Sequence, residues 1–109
     1  MTETSPDYRG LRNLRITDGV AVDNATPVLL GTYDGTIRSV ILIANPSATS
    51  DVVLKFSKSP TAPTMTATDW HWLADSQNQT PWMGVSEAIY VWALAVTADT
   101  VVNVVEAAY

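Results

Sequence analysis

The sequence predicts an all-β fold: an antiparallel β-sandwich, jelly-roll or immunoglobulin-like, with an extended N-terminal arm. Two observations carry the prediction. Apolar residues recur with the two-residue period of a strand through most of the hydrophobic runs, whereas stretches with a helical period are short and poor in helix formers. Asp-Gly dipeptides at 18–19 and 34–35, together with proline-bearing polar stretches, divide those runs into short segments. About seven or eight strands result, enough for two packed sheets.

In chain order, Met1 to Gly10 is polar, contains a proline and shows no periodicity, the composition of an arm. Leu14, Ile16, Val20 and Val22 alternate weakly around Asp18-Gly19, where a hairpin turn is expected because both turn positions favour φ > 0. The arm is therefore assigned to residues 1–22 and the sandwich to 23–109. Fully extended, such an arm reaches up to about 70 Å, against a radius of gyration of about 13 Å for a domain of this size. That reach allows contact with a neighbouring subunit.

Thr26 to Tyr33 reads as a strand ended by Asp34-Gly35, which feeds as a meander into Thr36 to Phe56. This last stretch is the centre of the fold, two neighbouring strands joined by a polar turn. Ile37, Ile41 and Ile43 occupy one face of its first strand, with Val40, Leu42 and Ala44 on the other, so neither face is meant for water. Pro46 then interrupts the ladder, and the chain returns through Val52, Leu54 and Phe56. Pro60 and Pro63 mark a loop or edge segment. In the excursion that follows, Met65 to Leu73 reads as a strand or, with Thr68 as cap, as a short helical turn through Ala74. Ser86 to Val96 and Thr100 to Glu106 close the chain as two hairpinned strands around Thr97-Ala98-Asp99.

A chain of 109 residues fits one domain, and folding hides roughly 65% of the unfolded surface at this size. The hydrophobic fraction of 47% against 16% charged is high for a small monomer, so part of the apolar surface is expected to be covered by other subunits. A net charge of −5 argues against nucleic-acid backbones, which need clustered Lys and Arg. With no cysteine there is no disulfide, thiolate nucleophile or Cys-ligated zinc. The opening MTETSPDYRG lacks a signal pattern and no apolar run is long enough to cross a membrane as a helix, which points to synthesis in the cytoplasm.

The residues suggest no enzyme, cofactor or metal. His71 is the single histidine, and Asp69 shares its face only if that segment is extended. Asp18, Asp34, Asp51, Asp69, Asp75 and Asp99 are spread over predicted turns without the spacing of a calcium loop. Two sets remain as candidate partner-binding residues. Arg9, Arg12 and Arg15 recur every third position in the arm and could pair with carboxylates of a partner. Trp70, Trp72 and Trp82 lie in the long excursion, where indoles fill a protein interface or form a platform for sugars; Trp92 reads as core.

Three stretches carry a resemblance to a known family: Gly31 to Tyr33 before a turn, IRSVILIANPSATSDVVLKF, and the ending IYVWALAVTADTVVNVVEAAY. Over Thr26 to Phe56 and Glu87 to Val105, roughly half the chain, the sequence resembles small tailed-bacteriophage virion proteins. Met65 to Gly84 lies outside the resemblance. What it implies is a non-enzymatic structural protein of the virion, foremost a capsid decoration or cement protein. Such a protein would trimerise on the shell and lay its arm across the major capsid protein or another copy. The alternatives are a neck or tail adaptor and, from a different class, a carbohydrate-binding module using the loop tryptophans.

Overall fold

The computed structural model describes residues 10–31, 38–68 and 72–108, with the backbone alone at Trp72. Eight strands are present: β1 (Arg12–Val22), β2 (Val28–Leu30), β3 (Val40–Asn45), β4 (Val52–Ser57), β5 (Trp72–Ala74), β6 (Asn78–Gln79), β7 (Tyr90–Ala95) and β8 (Thr100–Ala108). They form two antiparallel four-stranded sheets, ordered β1-β8-β3-β6 and β2-β7-β4-β5. No helix occurs among the described residues.

The pairing follows one rule. β1 pairs with β8, β2 with β7, β3 with β6 and β4 with β5, four nested antiparallel pairs closing inward from the two ends of the chain. The contacts β3–β8 and β4–β7 then join the pairs into sheets. Apart from β4 and β5, every consecutive pair of strands lies in opposite sheets.

That arrangement corrects three expectations. The two central strands, β3 and β4, are neighbours across the core and not along a ladder. β7 and β8 are likewise no hairpin, and β2 leads into no meander. In each case the connecting segment carries the chain from one sheet to the other, because each strand finds its partners far away in sequence.

The core between the sheets is built from the alternate residues of both. Val22, Leu30, Ile41, Ile43, Val52, Leu54, Val91, Ala93, Ala95, Val102 and Val104 form one buried cluster. A second cluster of Val53, Met65, Trp92 and Leu94 lies on the outer side of β4 and β7. Met65 belongs to the proline-bearing connection after β4, which Lys55 Nζ ties down by donating to Thr64 O at 3.1 Å. Trp92 is thus a core residue, as its strand alternation predicts. In β3, Val40, Ile41, Leu42 and Ile43 are all buried, in keeping with apolar residues on both faces.

The arm boundary is also corrected. Residues 12–22 form β1, hydrogen-bonded along β8, so they belong to the sandwich. Asp18-Gly19 is no turn. Its register shift places Asp18 and Gly19 opposite one residue of β8, a bulge in which Gly19 takes φ +70° and donates its N–H to Asn103 Oδ1 at 2.9 Å. A second register shift lies between Arg12 and Arg15, where Asn13 takes φ +52°. Both Asp-Gly and a bulge require a left-handed residue, and the long-range pairing with β8 decides between them. The Asp34-Gly35 turn and the first nine residues of the arm lie outside the described residues.

Candidate interaction surface

Each end of the sandwich is closed by a different chemistry. At one end, Arg38 and Glu106 are both fully buried, and Arg38 Nη1 donates to Glu106 Oε2 at 3.1 Å. Arg38 Nε donates to Val85 O at 3.0 Å, and Nη2 donates to Ser86 O at 2.8 Å and to Ile89 O. One guanidinium fork therefore anchors the segment leading into β7 to the last strand. The same Oε2 also faces Arg15 Nη2 at 3.5 Å. A Cβ on Gly31 would lie 2.8 Å from Oε2 and 3.0 Å from Arg38 Nη1, and Gly31 has φ +91°, so only glycine fits beside the ion pair.

At the other end, short polar side chains join the crossings. Asn45 Nδ2 donates to Ser50 O at 2.7 Å. Ser50 Oγ accepts the N–H groups of Val96 at 3.1 Å and Thr97 at 3.0 Å and donates to Asp51 O at 2.8 Å. Asp51 Oδ1 accepts from Ser76 N at 2.9 Å, which brings in the β5–β6 turn. Asp23 Oδ2 accepts the N–H groups of Ala25 at 2.8 Å and Thr26 at 2.6 Å, and Asp99 Oδ1 accepts that of Asn24 at 2.9 Å. The Ala25 and Thr26 donors hold the Asp23 carboxyl below the usual aspartate range. These groups are structural ties, and among the described residues no three His, Cys, Asp or Glu side chains gather where a metal ion could be held.

The residues singled out by sequence separate widely. Arg9, Trp70, His71 and Asp69 lie outside the described residues, as does the Trp72 side chain, whose backbone is in β5. Arg12 is exposed on β1. Arg15 turns inward and meets its carboxylate within the chain, at Glu106. Trp82 is half-buried with its ring nitrogen shielded, just before Met83, whose N–H donates to Ile41 O at 2.8 Å. Sequence reasoning missed Arg38, Glu106 and Gly31. The available signal was a lone arginine and a lone glutamate, each set in a run otherwise apolar or uncharged, Arg38 in IRSVILIAN and Glu106 in VVNVVEAA.

What the fold offers a partner is the β1 side of the first sheet. Among the described strands β1 has a neighbour on one side only, and it runs for eleven residues; the other edge strands, β2, β5 and β6, have three, three and two. Ile16, Val105 and Leu42 lie in register across the outer face. Ile16 at 57% and Leu14 at 44% exposure are the least covered large apolar residues of this strand, and Val101 on β8 adds 42%. Beside Val101, a shallow depression of about 410 Å³ is lined by Ala21, Ser47, Thr49, Asp99 and Thr100. Three of the four exposed large apolar residues among those described thus lie on two adjacent strands, and the fourth, Leu73, lies on β5 of the other sheet. Comparison of the chain with known protein families, curated proteins and solved structures gives no match.

Proposed function

We propose that this chain is a non-enzymatic structural protein of a tailed-bacteriophage virion, foremost a capsid decoration protein that stabilises the head through protein–protein contacts. The observation that carries the reading is that three of the four exposed large apolar residues, Leu14, Ile16 and Val101, lie on β1 and β8, β1 having one strand neighbour among the described residues. Apolar side chains concentrated on one sheet favour an interaction surface. At about 25 cal/mol for each Å² of apolar area removed from water, covering these residues provides useful affinity, and many copies on a shell multiply it.

The topology supports the same reading at a coarser level. Four nested antiparallel pairs in two four-stranded sheets favour the jelly-roll form of the sandwich over the immunoglobulin-like one, and jelly rolls serve as viral capsid and lectin domains. Together with the resemblance over Thr26 to Phe56 and Glu87 to Val105, this favours a virion component that acts as a homo-oligomer, a trimer on the shell being the form the resemblance implies. The partner is the major capsid protein or another virion protein. A neck or tail adaptor uses the same surface and differs in copy number and position on the particle.

The test is co-sedimentation of the full-length purified chain with assembled phage shells lacking it, followed by heating of the shells. Saturable binding at a fixed number of copies per shell, with a higher temperature of shell rupture, is expected. Absence of binding to shells, necks and tails alike overturns the proposal.

A further inference from the structure

We infer that residues 58–66 form a strap that lifts off the outer face of the β2-β7-β4-β5 sheet as a local opening, baring Val53, Trp92 and Leu94 while both sheets stay folded. The inference does not depend on the virion role.

The connections at the two ends of the sandwich are tied to other elements by side chains. Arg38 holds the carbonyls of Val85, Ser86 and Ile89, and Ser50 Oγ accepts the N–H groups of Val96 and Thr97. The connection after β4 is held differently. Ser59 N donates to Ser57 Oγ at 3.0 Å, Thr61 N to Ser59 Oγ at 3.1 Å, and the hydroxyls of Thr66 and Thr68 share a bond of 3.0 Å, all local in sequence. Among the described residues no backbone–backbone hydrogen bond joins 58–66 to a strand. Lys58 to Ala62, Thr64 and Thr66 are exposed, Pro63 is half-buried, and Met65 is the single buried side chain of the strap.

Met65 packs over the middle of the sheet. Trp92 on β7 lies in register between Leu29 on β2 and Lys55 on β4, and Lys55 Nζ donates to Thr64 O at 3.1 Å, which holds the residue before Met65 beside that row. Met65, Val53, Trp92 and Leu94 form a cluster separate from the one between the sheets, so the strap can leave without opening the main core. Beneath it, Trp92 Nε1 is buried with no hydrogen-bond partner. A buried donor without an acceptor is unfavourable, and water supplies the acceptor once the strap lifts. Opening therefore recovers part of what is lost by exposing Met65. A mostly exposed segment that joins no ladder belongs to the low end of local stability.

The same indole is the probe, because burial alone shields its N–H from solvent. The experiment is hydrogen exchange of the full chain by nuclear magnetic resonance at several low urea concentrations, with the Trp92 indole signal assigned by its loss in Trp92→Phe. Corrected for intrinsic rates, this N–H is expected to exchange roughly a hundredfold faster than the amides of β8, with little dependence on urea. Met65→Ala should speed it roughly tenfold. Ile43→Val, which weakens the core in the closed and lifted forms alike, should speed the β8 amides several-fold and leave the indole unchanged. Should Met65→Ala fail to fold, Lys55→Met, which cuts the tie to Thr64, should speed the indole instead. An indole that shares the urea dependence of the β8 amides, or that follows Ile43→Val, opens only with the whole domain and overturns the inference. Indifference to the Met65 or Lys55 change overturns it too, since the strap would then not be the cover.

Discussion

At the scale of single residues, the fold depends on charges placed where apolar side chains were expected. Burying Arg38 and Glu106 costs desolvation that their contact recovers only because Arg38 also satisfies three backbone carbonyls. Removing one partner leaves an uncompensated interior charge, so Glu106→Ala should lower unfolding stability by about 3–5 kcal/mol in urea titration. Glu106→Gln, which keeps the shape and an acceptor, should cost less. An Arg38→Met, Glu106→Leu double variant should recover only part of the loss, because it leaves the carbonyls of Val85, Ser86 and Ile89 without their donor and Arg15 without its carboxylate. Asp23 responds to pH in the opposite way to a buried base. Its folded pKa is depressed, so its contribution is complete above the unfolded value of about 3.9 and disappears as pH falls through the lower folded value. The stability gap between wild type and Asp23→Asn, read from thermal melts, should stay constant above about pH 5 and shrink below about pH 4.

At the scale of elements, strands were legible and their partners were not. The period-two runs at Val40 to Asn45, Tyr90 to Ala95 and Thr100 to Ala108 predict the strands within a few residues. The period of a strand says which residues share a face, but nothing about which ladder it joins. Asp18-Gly19 illustrates the limit, since a turn and a bulge ask for the same backbone and only β8, more than eighty residues away, selects the bulge. The candidate site was half legible. An excess of apolar residues predicts a sticky surface, but its position on Leu14, Ile16 and Val101 follows from β1 lying at an edge. The crossings depend on Ser50, whose hydroxyl is shared by two backbone N–H groups from the β7–β8 connection and the carbonyl of Asp51. Ser50→Ala takes the Thr97 N–H acceptor away, whereas Val96 N–H keeps Asp51 O at 2.9 Å, so the loss should be about 0.5–1.5 kcal/mol. Amide exchange should rise in that variant at Thr97 and much less at Val96, which retains its backbone acceptor.

At the scale of the whole molecule, nested pairing makes stability indivisible. The first strand pairs with the last and the second with the seventh, so β1 and β2 gain their partners only after nearly the entire chain is present. The core cluster draws on β1, β2, β3, β4, β7 and β8 together, leaving no pair of sequence neighbours able to bury its apolar face alone. Apart from the β4–β5 pair, local hairpins cannot nucleate the fold, and loop-closure entropy must be met before the distant ladders form. The chain should therefore unfold in guanidinium in one transition, with tryptophan fluorescence and far-ultraviolet circular dichroism superimposing at a fixed protein concentration. Refolding should fall in the millisecond-to-second range of sheets built from distant contacts. A chain ending before Thr100 should show no cooperative transition at all, since it loses β8, which separates and pairs both β1 and β3. Two non-coincident transitions in the full chain would mean that one sheet holds together alone, and that the ion pair at one end and the polar ties at the other close separate units.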